Sequence, residues 1–130
     1  MSKAAISVTA DLGERFVRTV AARDADALKE LLAPTVNFRA LTPAKHWESD
    51  DANEVVDDMI LGTWFAPERS ITRILGIERA TVGPVERVGY RFEAKLPDGD
   101  FAIEQQAYLK TENDKITWLR ILCSGFVRAD

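Results

Sequence analysis

The segment Val85 to Leu96 alternates without a break. Val88, Tyr90, Phe92, Ala94 and Leu96 fall on one side, and Arg87, Arg91, Glu93 and Lys95 on the other. A side-chain period of two belongs to a strand with one wet face. Leu96-Pro97-Asp98-Gly99-Asp100 follows, then a second strand-like run from Phe101 to Lys110. Proline presets the first dihedral of a turn and glycine accepts a positive φ, so the two runs fold back as an antiparallel hairpin. Every other part of the chain must accommodate that hairpin.

The flanking segments extend it. Ser70 to Val82 is a preceding strand bounded by Gly83-Pro84, and Lys115 to Val127 is a last strand after the polar turn Thr111 to Asp114. The first half has a different period. Val8, Leu12, Phe16 and Val20 recur every four residues, with Ala5 and Val17 beside them, which is the stripe of an amphipathic helix. Asp24 caps a short second helix, Ala25 to Ala33, whose inner face is Leu28, Leu31 and Leu32 and which Pro34 stops. Thr35 to Leu41 alternates as a strand, and Thr42-Pro43-Ala44-Lys45 is a loop. A third helix is expected from about Asp51, where Asp51 and Glu54 have capping-box spacing. Its apolar stripe is Ala52, Val55, Val56, Met59, Ile60 and Thr63 or Trp64, and Gly62 and Pro67 bracket its end. Helices followed by a run of hairpin-linked strands imply an α+β layering, with a long curved antiparallel sheet wrapped around three helices.

The turn also sets a register. A type I turn with Gly99 in a bulge pairs Ala94 with Ala102, Phe92 with Glu104, Tyr90 with Gln106 and Val88 with Tyr108. One face then carries apolar residues with a few convergent polar groups, the composition of a small-molecule site. A simple two-residue Asp98-Gly99 turn shifts the register by one and expels Glu104 and Gln106 from that face. In the first register Glu104, beside Phe92 and Tyr90, would be a desolvated carboxylate able to act as general acid or base. In the plainer reading it is an ion-paired or solvated residue. Tyr90 and Tyr108, the only tyrosines, would be phenol donors or core aromatics. Gln106 would orient a ligand or tie strands together.

Composition excludes more than it announces. With 17 Lys and Arg against 21 Asp and Glu, the net charge is −4, and no basic cluster exceeds a dipeptide. Neither a nucleic-acid partner nor a membrane-surface anchor is expected. No run of apolar residues approaches bilayer length, and the N-terminus lacks the apolar core of a signal peptide. One domain of 130 residues is expected, and the single cysteine, Cys123, points to the cytoplasm. One histidine and one cysteine leave no usual zinc site, so no metal is expected. The acidic run Glu48 to Asp58 suits a helix start and its polar face. His46 is the sole imidazole, a loop residue beside Lys45, and Cys123 lies mid-strand as a small buried hydrophobe.

Several motifs, taken in order, resemble the nuclear transport factor 2-like superfamily, and within it the SnoaL-like and ketosteroid-isomerase-like branch. They are Leu31-Leu32-Ala33-Pro34-Thr35-Val36-Asn37-Phe38, then His46-Trp47-Glu48, then Phe101 to Leu109, then Asp114-Lys115-Ile116-Thr117-Trp118-Leu119-Arg120, and finally Cys123-Ser124-Gly125-Phe126. The resemblance spans roughly residues 5 to 128 and implies a cone-shaped, cystatin-like α+β roll with a pocket between the concave sheet and the helices. It places Gln106 where the isomerase branch keeps a second acid, and Leu119, Ile121 and Cys123 on the pocket side. It puts Trp47 at the mouth of the cone. Many members are homodimers joined through their sheets.

The isomerase pattern is incomplete. The position of its catalytic carboxylate falls on Ala40, or on Phe38 with a small gap, and no tyrosine precedes Tyr90. The Asp-Arg-Asp relay of epoxide hydrolases and the His-Asp pair of dehydratases are not recognisable. The expectation is a binding domain for a small apolar or cyclic ligand, without cofactor. Its lining would be Trp47, Tyr90, Phe92, Gln106, Tyr108 and Leu119. The alternative is a cofactor-free isomerase, cyclase or hydrolase using Glu104 and a tyrosine. A homodimer through the outer face is expected from Phe101, Ile103, Ala107, Leu109, Trp118 and Leu122, too much apolar surface to leave in water.

Overall fold

The computed structural model describes residues 2–129, with side chains from residue 12 onward. Ala5 and Val8 of the expected helical stripe lie outside the described side chains. Helix α1 spans Ser2–Ala22 and buries Leu12, Phe16, Val17 and Val20. Helix α2 spans Ala25–Leu31, and its cap is Asp24, whose side chain accepts from the Ala27 N–H at 3.1 Å. It ends before Pro34, because Leu32 already belongs to β1, Leu32–Thr42.

Helix α3 begins at Ala52–Glu54 and continues as a π-helix over Val55–Trp64. Asp51 is its cap and accepts from the Asn53 N–H at 2.9 Å. Glu54 does not close the box directly. Ser49 stands between, its hydroxyl donating to Glu54 and accepting from the Asp51 N–H at 3.1 Å. The wider turn buries Val55, Val56, Ile60, Leu61 and Trp64. It requires Gly62, where a Cβ would stand 2.0 Å from the Asp57 carbonyl oxygen.

The remaining strands are β2 Lys45–Asp51, β3 Ser70–Val82, β4 Val85–Leu96, β5 Gly99–Glu112, β6 Lys115–Cys123 and β7 Val127–Arg128. They form a seven-stranded sheet ordered β2-β1-β6-β5-β4-β3, with β7 beside β5. The β1–β6 pair is parallel and the others are antiparallel. The sheet is curved and open, with the helices packed in its concavity.

Three sequence expectations need correction. His46-Trp47-Glu48 is not a loop ahead of α3 but part of β2, which turns back on β1 at Pro43-Ala44. Ala44 takes φ +63° there. The last strand stops at Cys123, because Gly125 turns the chain at φ +78° before β7. The central hairpin has a two-residue loop, Pro97-Asp98. Gly99 pairs with Leu96 instead of forming a bulge, so Tyr90 faces Gln105 and Phe92 faces Ile103. That single step of register reverses every side chain of β5.

Strand β3 contains a regularity that periodicity hides. Ile71, Ile74 and Ile77 are three apart, yet all pack against the core. Register shifts at Thr72 and Leu75 each insert one residue, so each isoleucine returns to the inner face. Such bulges also bend a strand, and here they curve the sheet over the helices.

Candidate functional site

The concave face is built from the inward residues of five strands. Trp47 of β2 pairs with Ala40 of β1, Ala40 with Ile121 of β6, Ile121 with Ala107 of β5, and Ala107 with Val88 of β4. The adjoining row runs Cys123, Gln105, Tyr90 and Ile77. Phe16, Phe65 and Trp64 close over it, with Phe65 packed on Phe92 of β4 at 5.6 Å between ring centroids, all buried.

Gln105 is the one polar side chain in the buried core of the described residues, 1% exposed. Tyr90 lies opposite, and its hydroxyl donates to Gln105 Oε1 at 2.6 Å. Burial, followed by the nearby Cys123 thiol, pushes the Tyr90 pKa well above the ordinary tyrosine value. The phenol is therefore a neutral donor across the physiological range. In this arrangement Gln105 Oε1 faces the phenol. The opposite end, Gln105 Nε2, has no protein partner, and neither does the buried indole Nε1 of Trp64. Buried donors are seldom left unsatisfied in native proteins. Trp64 is held by rings of the sheet, Phe38 at 6.1 Å and Trp47 at 5.8 Å between centroids. On the sheet, the row beside Gln105 runs Ala40, Ile121 and Ala107 in register.

The sequence-based candidates divide between the two faces. Tyr90, Phe92 and Leu119 lie inward and fully buried. Trp47 is also inward, half-buried, its indole donating to Thr42 Oγ1 at 2.8 Å. Lys45 Nζ sits 3.9 Å from the Trp47 ring. Cys123 is half-buried beside Gln105, and its sulfur accepts from the Gly125 N–H at 3.3 Å. Glu104, Gln106 and Tyr108 point outward, because the two-residue loop reverses β5. Glu104 is exposed and stands 3.9 Å from Arg91. It also accepts from Gln106 Nε2 at 3.2 Å, while Arg87 donates to Gln106 Oε1 at 2.6 Å. This is a solvated ion network and not a desolvated acid. His46, opposite Leu41, is exposed on the outer side. Gln105 was missed because the bulged turn placed it outside. The two-residue Asp98-Gly99 turn, though displaced from the observed Pro97-Asp98 loop, turns the same side of β5 inward and was the signal that could have found it.

Glu86, at the far end of the inner row of β4, was also missed. Its pKa is raised by desolvation, against a lowering by Arg79. Gly13 of α1 makes room for it: a Cβ there would come within 3.1 Å of the carboxylate.

The outer face carries a separate apolar groove of about 340 Å³ that includes Leu41, His46, Tyr108 and Leu122. Leu41 and Leu122 are more than half exposed there, at 53% and 55%. Trp118 lies nearby between two cations, Arg120 at 4.3 Å and Lys110 at 4.9 Å from its ring. The outward set is thus Leu41, Tyr108, Trp118 and Leu122. Ile103, Ala107 and Leu109, expected outside, are buried in the core.

No protein-family model matches the chain, and no curated protein matches it significantly. Solved structures do. An NTF2-like protein from Burkholderia thailandensis superposes with TM-score 0.66 at 10% identity, covering 88% of each chain. The fold is that of the nuclear transport factor 2-like proteins. Other structures with this NTF2-like fold agree. A Catenulispora acidiphila protein of ketosteroid isomerase-like fold, solved in complex with trimethylamine, gives TM-score 0.60 at 12% identity over 88% of this chain and 85% of its own. An LEH-like epoxide hydrolase from M. tuberculosis gives 0.66 at 9% identity, covering 91% and 84%. Among the described residues no helix is long and apolar enough to cross a membrane.

Proposed function

We propose that the chain is one domain that binds a small, largely apolar molecule between its concave sheet and its helices, and that it needs no cofactor to do so. The observation that carries this reading is Gln105. It is a buried amide held at one end by Tyr90 and presenting its free N–H₂ within an aromatic and aliphatic enclosure. An apolar wall with one oriented polar group is the usual composition of a ligand site. The acid–base enzyme that would use Glu104 loses support, since that carboxylate lies on the other face. The lone Cys123 fits the reducing cytoplasm as its compartment.

A homodimer through the outer face belongs to the same proposal. Leu41 and Leu122 expose apolar surface, and Tyr108 and Trp118 beside them are only partly covered. A second copy of the sheet would cover this patch, and Arg39 and Glu48 would lie at its rim, 3.4 Å apart.

A solvatochromic apolar dye, Nile red, tests the binding reading. Saturable one-to-one binding that Ala107→Leu abolishes and Leu122→Glu retains supports the inner site. Loss with Leu122→Glu and retention with Ala107→Leu would move the ligand to the outer groove and overturn it.

A further inference from the structure

Cys123 is the one cysteine of the chain, and it ends β6 on the inner face. It is half-buried, so small solutes reach its sulfur. The chain turns directly after it. Gly125 lies against the Pro43 ring, which a Cβ would meet at 2.7 Å, and its N–H donates to Cys123 Sγ at 3.3 Å. Ser124 braces the same turn. Its hydroxyl accepts from the Glu104 N–H at 3.0 Å and donates to the Gly125 carbonyl at 2.7 Å. The sulfur therefore faces a backbone donor that the turn holds in place.

Its cross-strand partner is Gln105, and paired side chains share a face with their Cβ atoms about 5 Å apart. Tyr90 stands on the other side of Gln105, with its hydroxyl on Oε1. Gln105 Nε2 is turned away from that phenol and has no protein partner, in a residue 1% exposed. The thiol is near enough to the phenol to raise the Tyr90 pKa, so sulfur, amide and phenol form one cluster. A buried N–H without an acceptor is costly. An oxygen bonded to Cys123 Sγ supplies that acceptor from within the chain. It needs no cavity, because it lengthens a half-exposed side chain by one atom.

We propose that Cys123 is an oxidation site for hydroperoxides, and that its sulfenic acid is held by the Gln105 amide and the Gly125 N–H. The sulfur attacks one oxygen of the peroxide. The S–O bond forms and the O–O bond breaks. The departing hydroxide or alkoxide takes up the thiol proton and leaves as water or alcohol, so the sulfur is oxidised and the peroxide reduced. The Gly125 N–H steadies negative charge on the sulfur during the attack. A sulfenic acid has both an O–H donor and an oxygen acceptor, so it satisfies whichever atom of the amide faces it. With one cysteine in the chain, no internal disulfide consumes the product. Half-burial hinders the thiol of a second chain. The result is a lasting mark that a small thiol reverses, and not a crosslink.

Intact-mass analysis after exposure to hydrogen peroxide tests this, with dimedone to capture sulfenic acid. The expected product gains one oxygen, is captured by dimedone and returns to the starting mass with dithiothreitol. Capture and reversal separate it from an oxidised methionine, which shows neither. Cys123→Ser gives no captured product. In the ¹H–¹⁵N spectrum of the wild type, oxidation moves the Gln105 side-chain amide signals, assigned by through-bond correlation. Tyr90→Phe combined with Gln105→Leu removes both members of the buried polar pair. In that variant the sulfenic acid should pass on to sulfinic acid about tenfold faster, the factor that one net hydrogen bond supplies. Absence of dimedone capture from the folded wild type, or a disulfide-linked dimer as the main product, would overturn the proposal. So would equal sulfenic acid lifetimes in the wild type and the double variant. Gln105 amide signals that stay in place on oxidation would overturn it too, and that reading stands on the wild type alone should the double variant fail to fold.

Discussion

Arg23 Nε donates to the carbonyl of Phe65 at 2.8 Å, and its Nη2 to that of Leu61 at 3.1 Å. The first residue beyond α1 thus caps the C-terminal end of the π-helix, where carbonyls lack partners within the helix. Arg69 takes a further carbonyl, that of Thr63, at 3.1 Å. These caps fix the end of the helix that carries Trp64, so the geometry of the inner site depends on them. Arg23→Ala should lower stability by about 2 kcal/mol, as expected for losing charge-assisted hydrogen bonds to half-buried acceptors. Arg23 itself adopts φ +54°, in the left-handed region. Arg23→Gly loses the same bonds but relieves that strain, and should be milder by about 1 kcal/mol. Urea denaturation of both variants measures the difference. Equal stability of Arg23→Ala and wild type would mean that water caps the helix equally well.

Gly62 marks the π-helical winding. A methyl group there meets the Asp57 carbonyl oxygen at 2.0 Å, a backbone atom with little room to move. Gly62→Ala should therefore cost more than about 2 kcal/mol or force the segment into tighter α winding, although alanine is the better helix former. A stabilised Gly62→Ala protein in thermal denaturation would show that the segment is wound as an ordinary α-helix.

Glu86 makes stability depend on pH. Desolvation raises its folded pKa above the ordinary 4.5, so folding favours its protonated form. The stabilising contribution is complete below the unfolded value and is lost as pH rises through the folded one. Glu86→Gln should therefore be more stable than wild type at pH 7, and the gain should vanish at about pH 3, where both side chains are neutral. Denaturation midpoints at the two pH values decide it; a Glu86→Gln protein less stable than wild type at pH 7 would show that the Arg79 attraction outweighs burial.

Trp118→Arg places a third cation between Lys110 and Arg120 on the outer face. It should convert the proposed dimer to monomer in sedimentation velocity while the circular dichroism stays native. Leu122→Glu should do the same. A wild-type protein that already sediments as a monomer at micromolar concentrations would remove the dimer proposal.

The layer order, the sheet and most core positions were legible in the sequence, because α1, α2 and β4 carry clean periods. Leu12, Phe16, Val17, Val20 and Leu28 are buried where the helical stripes put them. Two local features escaped. His46-Trp47-Glu48 lies among charged residues that suit a loop, and only pairing with Leu41, Ala40 and Arg39 makes it a strand. The site itself turned on one glycine. Pro97-Asp98-Gly99 suits a bulged turn and a two-residue loop alike, and local chemistry does not choose between them. The choice is made by burial across the sheet. With Gln105 inward, Ile103, Ala107 and Leu109 are buried with it, and one polar residue enters the core. The opposite register would have buried Glu104 and Gln106 and left those three apolar residues in water.

A crystal structure of the protein grown with a small, largely apolar ketone, 2-decalone, tests the binding proposal most directly. The account predicts density for the ketone between the π-helix and the concave sheet, with its oxygen within about 3 Å of Gln105 Nε2 or Trp64 Nε1. Density only in the outer groove against Leu41, Tyr108 and Leu122, with water on Gln105, would contradict it.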